Sequence, residues 1–186
     1  MINFSKLQQE IKEYDTAREQ LILKSREVLK LSKLVIYAVH RDELKNAAQL
    51  VKEMQQKKKE LDKIATHSNK METEGSYKIA VQEYVEAMLC FNYVNKGELA
   101  EVDCSPEHFV LGLADLPGEL NRRAVFLAGK GHTAEVGKIR DAVDMIYGEL
   151  LKFDFRDNEI RRKVDAVKYE LRKLEDLVLD LKLKGR

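Results

Sequence analysis

Residues 4–39, FSKLQQEIKEYDTAREQLILKSREVLKLSKLVIYAV, contain no glycine and no proline, and neither residue type occurs before Gly75. Ala, Glu, Lys, Leu, Arg and Gln dominate the first 74 positions, so almost nothing there breaks a helix. Phe4, Leu7, Ile11, Tyr14, Leu21, Val28 and Val35 follow a three-and-four spacing, with Arg18, Ser25 and Ser32 at the intervening seam positions. That spacing predicts one long amphipathic helix. Its continuously apolar end, Leu34 to Val39, is expected to be deeply packed. His40-Arg41-Asp42 reads as a break, with Asp42 placed to cap a second helix that carries Leu44, Ala47, Val51, Met54, Leu61 and Ala65. The two are expected to form an antiparallel hairpin, and QQKKKE at 55–60 reads as a solvated face rather than a nucleic-acid patch.

Outward from this hairpin the pattern stays helical. Gly75 marks the connection into a third helix, roughly Tyr77 to Asn95, which Gly97 ends with a left-handed cap. Ser105-Pro106-Glu107-His108 reads as the start of a fourth, with Ser105 at the N-cap and Pro106 at the first position; it closes at Gly129-Lys130-Gly131. Val136, Ile139, Val143, Ile146 and Leu150 define a fifth. After a link at 153–158, Ile160, Val164, Val167, Leu171, Leu174, Val178 and Leu181 form a heptad seam in a last helix, Asn158 to Leu183. That seam fits a helix of another subunit or closure of the domain's own bundle equally well. No strand-like alternation occurs. The class is all-α, a single domain over 1–186 built as a bundle of about six to seven helices.

Two apolar helices carry acids. In FVLGLADLPGELNRR (109–123) Asp115 and Glu119 lie four apart among leucines, and in VQEYVEAMLCFNYV (81–94) Glu83 and Glu86 are the only charges. Spacings of three and four put each pair on one helix face. Carboxylates in so apolar a setting require a cation, a hydrogen-bond network or a solvent channel. Asp115 can also be read as an N-cap ahead of Pro117, or as lying on a helix that is kinked there. Glu83 and Glu86 can also be read as partners of Arg122 or Arg123. Taken together, four acids without a matching set of internal bases repel one another, and a divalent cation resolves this. A cluster of carboxylate oxygens without histidine or cysteine suits Mg²⁺ or Mn²⁺ over zinc.

Net charge is +1, from 33 basic and 32 acidic side chains, which points to no nucleic-acid binder by itself. The distribution is uneven: Val81 to Glu119 holds eight acids against Lys96, and Leu120 to Arg140 holds five bases against Glu135. An acidic pocket rimmed by positive charge suits a cation site that handles a polyanion. Two cysteines make no disulfide framework, and no apolar run nears the ~18 residues of a membrane span, so a cytoplasmic protein is expected. Walker A, dinucleotide, G-x-S-x-G and zinc-finger patterns are absent. GKGHT at 129–133 lacks phosphate-loop spacing, and the four histidines, His40, His67, His108 and His132, form no evident pair.

GLADLPGELNR (112–122) resembles the segment that marks translin-associated factor X, and QEYVEA (82–87) resembles its other acidic segment. DNEIRRKVDAVKYELRKLEDLVLDLKLKGR (157–186) looks like the end of translin itself. The likeness runs in order along the whole chain, and the compact size suggests an archaeal member of the translin superfamily. The resemblance implies an all-α fold of about seven helices assembled into a hollow homo-oligomer, usually an octamer, around RNA or single-stranded DNA. It further implies a Mg²⁺- or Mn²⁺-dependent endoribonuclease site at Glu83, Glu86, Asp115 and Glu119. Arg122 and Arg123, one turn beyond, read equally well as phosphate contacts or as ordinary structural salt bridges. The alternatives are a translin-like oligomer that encloses nucleic acid without cutting it, and a helical scaffold that binds none. Pro117 departs from the family pattern, and the basic segment that precedes the third helix in translin is unmatched over Ser68 to Tyr77.

Overall fold

A computed structural model describes residues 2–66 and 69–185; His67 and Ser68, one of the four histidines and the start of the unmatched stretch, lie outside the described residues. The described residues form seven helices in order: α1 Phe4–His40, α2 Leu44–Ala65, α3 Asn69–Glu72, α4 Gly75–Lys96, α5 Pro106–Gly129, α6 Thr133–Leu150 and α7 Asn158–Lys184. The described residues include no strand and no helix long and apolar enough to cross a membrane. The single-turn α3 is the element without a sequence signal, being too short to show a period.

α1 and α2 pair antiparallel, with Lys24 bound to Glu60 at 2.9 Å and Lys57 to Glu27 at 3.2 Å. α1 spans about 56 Å and α2 about 33 Å at 1.5 Å per residue. The mismatch leaves the first turns of α1 unaccompanied, and Phe4 and Ile11 are 68% and 62% exposed despite their place on the seam. Cover begins where Tyr14 and Arg18 meet Glu74, and the seam is fully buried from Leu21. The apolar end of α1 is buried on one side only: Val35, Ile36, Ala38 and Val39 face inward, whereas Leu34 and Tyr37 are exposed, because helix neighbours cover part of its circumference.

Asp42 does not cap α2. It adopts φ 61°, and the amides of Asp42 and Glu43 donate to the carbonyls of Val39 and Ala38, closing α1 with the two reverse bonds of a Schellman turn. Its carboxylate instead reaches Arg123 and Lys130 on and beyond α5. The same turn closes α5, with Gly131 at φ 80° in the left-handed position. Lys58 corrects the solvated reading of QQKKKE. Its ammonium is buried, bound to Asp62 at 2.6 Å, and lies over the rings of Tyr77 and Tyr84.

α4 packs between α1 and α5, and α5 packs on α6 and α7. Ser105 caps α5, and the helix runs unbroken through Pro117, so Asp115 is no N-cap. The α7 seam closes on its own chain as far as Leu174: Ile160, Val164, Val167, Leu171 and Leu174 are buried against α5 and α6, whereas Val178 and Leu181 are only partly covered. Gly112 sets the distance between α4 and α5. A Cβ there would stand 2.6 Å from Val85 Cβ and 2.7 Å from the Gln82 carbonyl oxygen. Backbone cannot give way as a flexible side chain does, so Gly112→Ala is expected to cost about 3 kcal/mol, the upper end for overpacking. For a chain of this size that lowers Tm by about 6–12 °C, measurable by circular dichroism.

Candidate nucleic-acid processing site

Gly112 places the acidic faces of α4 and α5 side by side. Glu83 and Glu86 from α4, Asp115 and Glu119 from α5, Lys33, Ile36 and Tyr37 from α1, and Arg122 line one cavity of ≈ 530 Å³. All four acids predicted from the sequence therefore come together. The cavity adjoins an open groove of ≈ 760 Å³ between α5 and α7, and the two share Glu119 and Arg122.

The four carboxylates have different surroundings. Glu86 is only 8% exposed, and among the described residues no hydrogen bond or ion pair reaches it. Burial, followed by the nearby charges of Asp115, Glu83 and Glu119, pushes its carboxyl up to about 8. Glu83 is raised too, chiefly by burial, with Lys33 opposing. Asp115 accepts from Lys163 Nζ at 2.7 and 2.8 Å, one contact to each oxygen, and from the Gln82 side-chain amide. Glu119 is 2.5 Å from His40 Nε2, and that hydrogen bond holds its carboxyl below the usual range.

The expectation that the acids lack internal bases is thus corrected. His40 and Lys163 supply them from α1 and α7, 79 and 48 positions away in sequence. His40 ends the buried face of α1, and its Nδ1 is buried without a partner. Lys163 flanks Val164 on the α7 seam, which is the one sequence sign that it points toward the bundle. Glu83 and Glu86 pair with neither arginine. Arg123 is engaged with Asp42, stands over the Phe126 ring and ties α5 to the α1–α2 turn, whereas Arg122 faces the acid cavity. Cys90, one turn beyond Glu86, is buried, with its thiol pushed up to about 12 by that burial, and it does not line the acid cavity.

As the side chains stand, no three His, Cys, Asp or Glu groups among the described residues converge closely enough to hold a metal ion. Asp115 and Glu119 are turned to their bases. The donor chemistry nevertheless fits a hard divalent cation, because Glu86, largely buried and with no partner among the described residues, lies beside three further carboxyls that offer oxygen ligands. A family model for translins matches residues 16–185. The chain belongs to the translin family. It is 30% identical to the uncharacterised protein MJ0175 of Methanocaldococcus jannaschii, over 81% of this chain and 70% of that one. The apo crystal structure of NeC3PO superposes with a TM-score of 0.91 at 22% identity, covering 97% of this chain and 98% of its own. AfC3PO gives 0.90 at 23% identity, and its complex with duplex RNA gives 0.86, each covering 98% of both chains. These likenesses establish the translin fold, with the seven helices in their expected all-α arrangement.

Proposed function

We propose that this translin-family chain is a Mg²⁺- or Mn²⁺-dependent endoribonuclease that works as a closed homo-oligomer, an octamer by family analogy, around short or single-stranded RNA. The observation that carries this reading is Glu86, a largely buried side chain with no partner among the described residues, whose carboxyl opens on a cavity that three other carboxyls also line. A folded chain retains such a group at a cost, and a bound cation accounts for it. The similarity to a structure that holds duplex RNA supports RNA as the polyanion. Glu83, Glu86 and Asp115 hold the ion, with Glu119 as a further ligand or as the base toward the attacking water. When bound, the ion supplies a lowered water pKa and neutralises charge building on the phosphate. His40 fixes the orientation of Glu119, and Arg122 is positioned to pair with a phosphate at the cavity mouth. Arg123 acts at one remove, by holding the α1–α2 turn.

One observation favours a second reading, a translin-like oligomer that encloses RNA or single-stranded DNA and does not cut it. Asp115 and Glu119 already have bases at 2.7 and 2.5 Å. The two readings separate in one assay. With end-labelled single-stranded RNA, the purified protein is expected to cleave in Mn²⁺ and not in EDTA, and its Tm is expected to rise with added Mn²⁺ alone. RNA binding with no Mn²⁺-dependent cleavage would establish the non-cutting reading.

A further inference from the structure

Resting on the metal-site reading above, we infer that Lys163 is a built-in surrogate cation. Its ammonium occupies Asp115 in the metal-free protein, and a divalent ion has to displace it, so Lys163 sets the metal affinity of the site.

Lys163 Nζ contacts both oxygens of Asp115, at 2.7 Å and 2.8 Å. The backbone that carries it is fixed, since Ile160, Val164 and Val167 around it are buried on α7. Its side chain is 26% exposed, so the head group has a route to water. Lysine suits such a role better than arginine, because one compact ammonium on a flexible stem leaves more readily than a planar fork bonded at two points. The Asp115 oxygens are also held unequally. Oδ2 keeps the Gln82 amide as a second donor, whereas Oδ1 is bonded to Lys163 alone. Departure of the lysine therefore frees Oδ1 while Gln82 holds the carboxylate in place. Glu86 receives no such cover, which leaves the cavity with an acid still unmatched after Lys163 has paired with Asp115.

A ligand that must displace an internal competitor binds with its affinity reduced by the fraction of open sites. Mn²⁺ alone is the probe, titrated by calorimetry into the full-length protein. Lys163→Met is expected to bind Mn²⁺ more tightly than wild type by up to about fivefold, the gain that follows from removing a partly exposed ion pair. Lys163→Gln, which keeps a polar head group, is expected to show a gain in the same direction and guards against loss of fold in the Met variant. Lys33→Met separates displacement from general electrostatics, since Lys33 lines the same cavity but, among the described residues, makes no hydrogen bond or ion pair with Asp115. A smaller gain in Lys33→Met supports displacement. Equal gains in both, or unchanged or weaker Mn²⁺ binding in the Lys163 variants of a wild type that binds Mn²⁺, overturn it. Absence of Mn²⁺ binding in wild type and variants alike overturns the metal-site reading itself.

Discussion

Glu86→Gln is expected to yield a protein that melts higher than wild type in EDTA at pH 8 or above and cuts RNA on the order of 10²–10³-fold more slowly in Mn²⁺. The two effects have one origin. Glu86 is largely buried beside three other carboxyls with no donor among the described residues, so in the metal-free protein its ionisation works against folding. Its folded pKa is raised to about 8 from an ordinary value of 4.5. Stability from the neutral carboxyl is therefore fully present below about 4.5 and lost as pH climbs through about 8. Glutamine has the same shape and never ionises, so the Tm difference between variant and wild type should be small at pH 5 and grow toward pH 9. Removing one ligand from a cation that stabilises phosphate charge forfeits several kcal/mol at the transition state, at about 1.4 kcal/mol per factor of ten. Asp115→Asn is expected to lose cleavage similarly, but it also gives up the Lys163 ion pair, so any gain in stability should be confined to Glu86→Gln. Wild-type cleavage in Glu86→Gln would remove the acid cluster from catalysis.

Leu174→Glu is expected to abolish the folded subunit, not to release it from an assembly. Leu174 and Val167 are fully buried between α7 and the rest of their own bundle. Placing an unpaired charge there costs several kcal/mol, against a total stability on the order of 5–15 kcal/mol. Circular dichroism and light scattering distinguish the outcomes. Loss of helical signal or aggregation follows from an internal seam, whereas a helical monomer of 21.5 kDa would mean that α7 also closes a subunit contact. Tyr169→Glu, on the same helix but 65% exposed, is the matched control and is expected to melt like wild type.

The helices were legible because each carries its own period and punctuation. Ser105-Pro106 starts α5 and Gly131 ends it as the residue types require, and Val136 to Leu150 are buried as their spacing predicts. The convergence of Glu83, Glu86, Asp115 and Glu119 was legible too, since a charge inside an apolar helix face is conspicuous in one dimension. What sequence could not deliver was the pairing of those acids. His40 and Lys163 reach them from distant helices, and the local signs, His40 at the end of an apolar run and Lys163 beside Val164 on the α7 seam, do not name the acids they meet. Asp42 failed as a cap for a related reason: its neighbours in space, Arg123 and Lys130, matter more than its neighbours in the chain. The α7 seam shows the limit of periodicity, since a heptad records that a helix is covered but not by what.

The acids of α4 and α5 and the lysine of α7 also differ in when they exist. Glu119 precedes Lys163 by 44 residues, an interval of about 2–9 s at typical rates of protein synthesis. During those seconds a nascent chain carries the acid pair of α5 with Gln82 already made and Lys163 not yet made. The Lys163–Asp115 ion pair can therefore close only after α7 has been made.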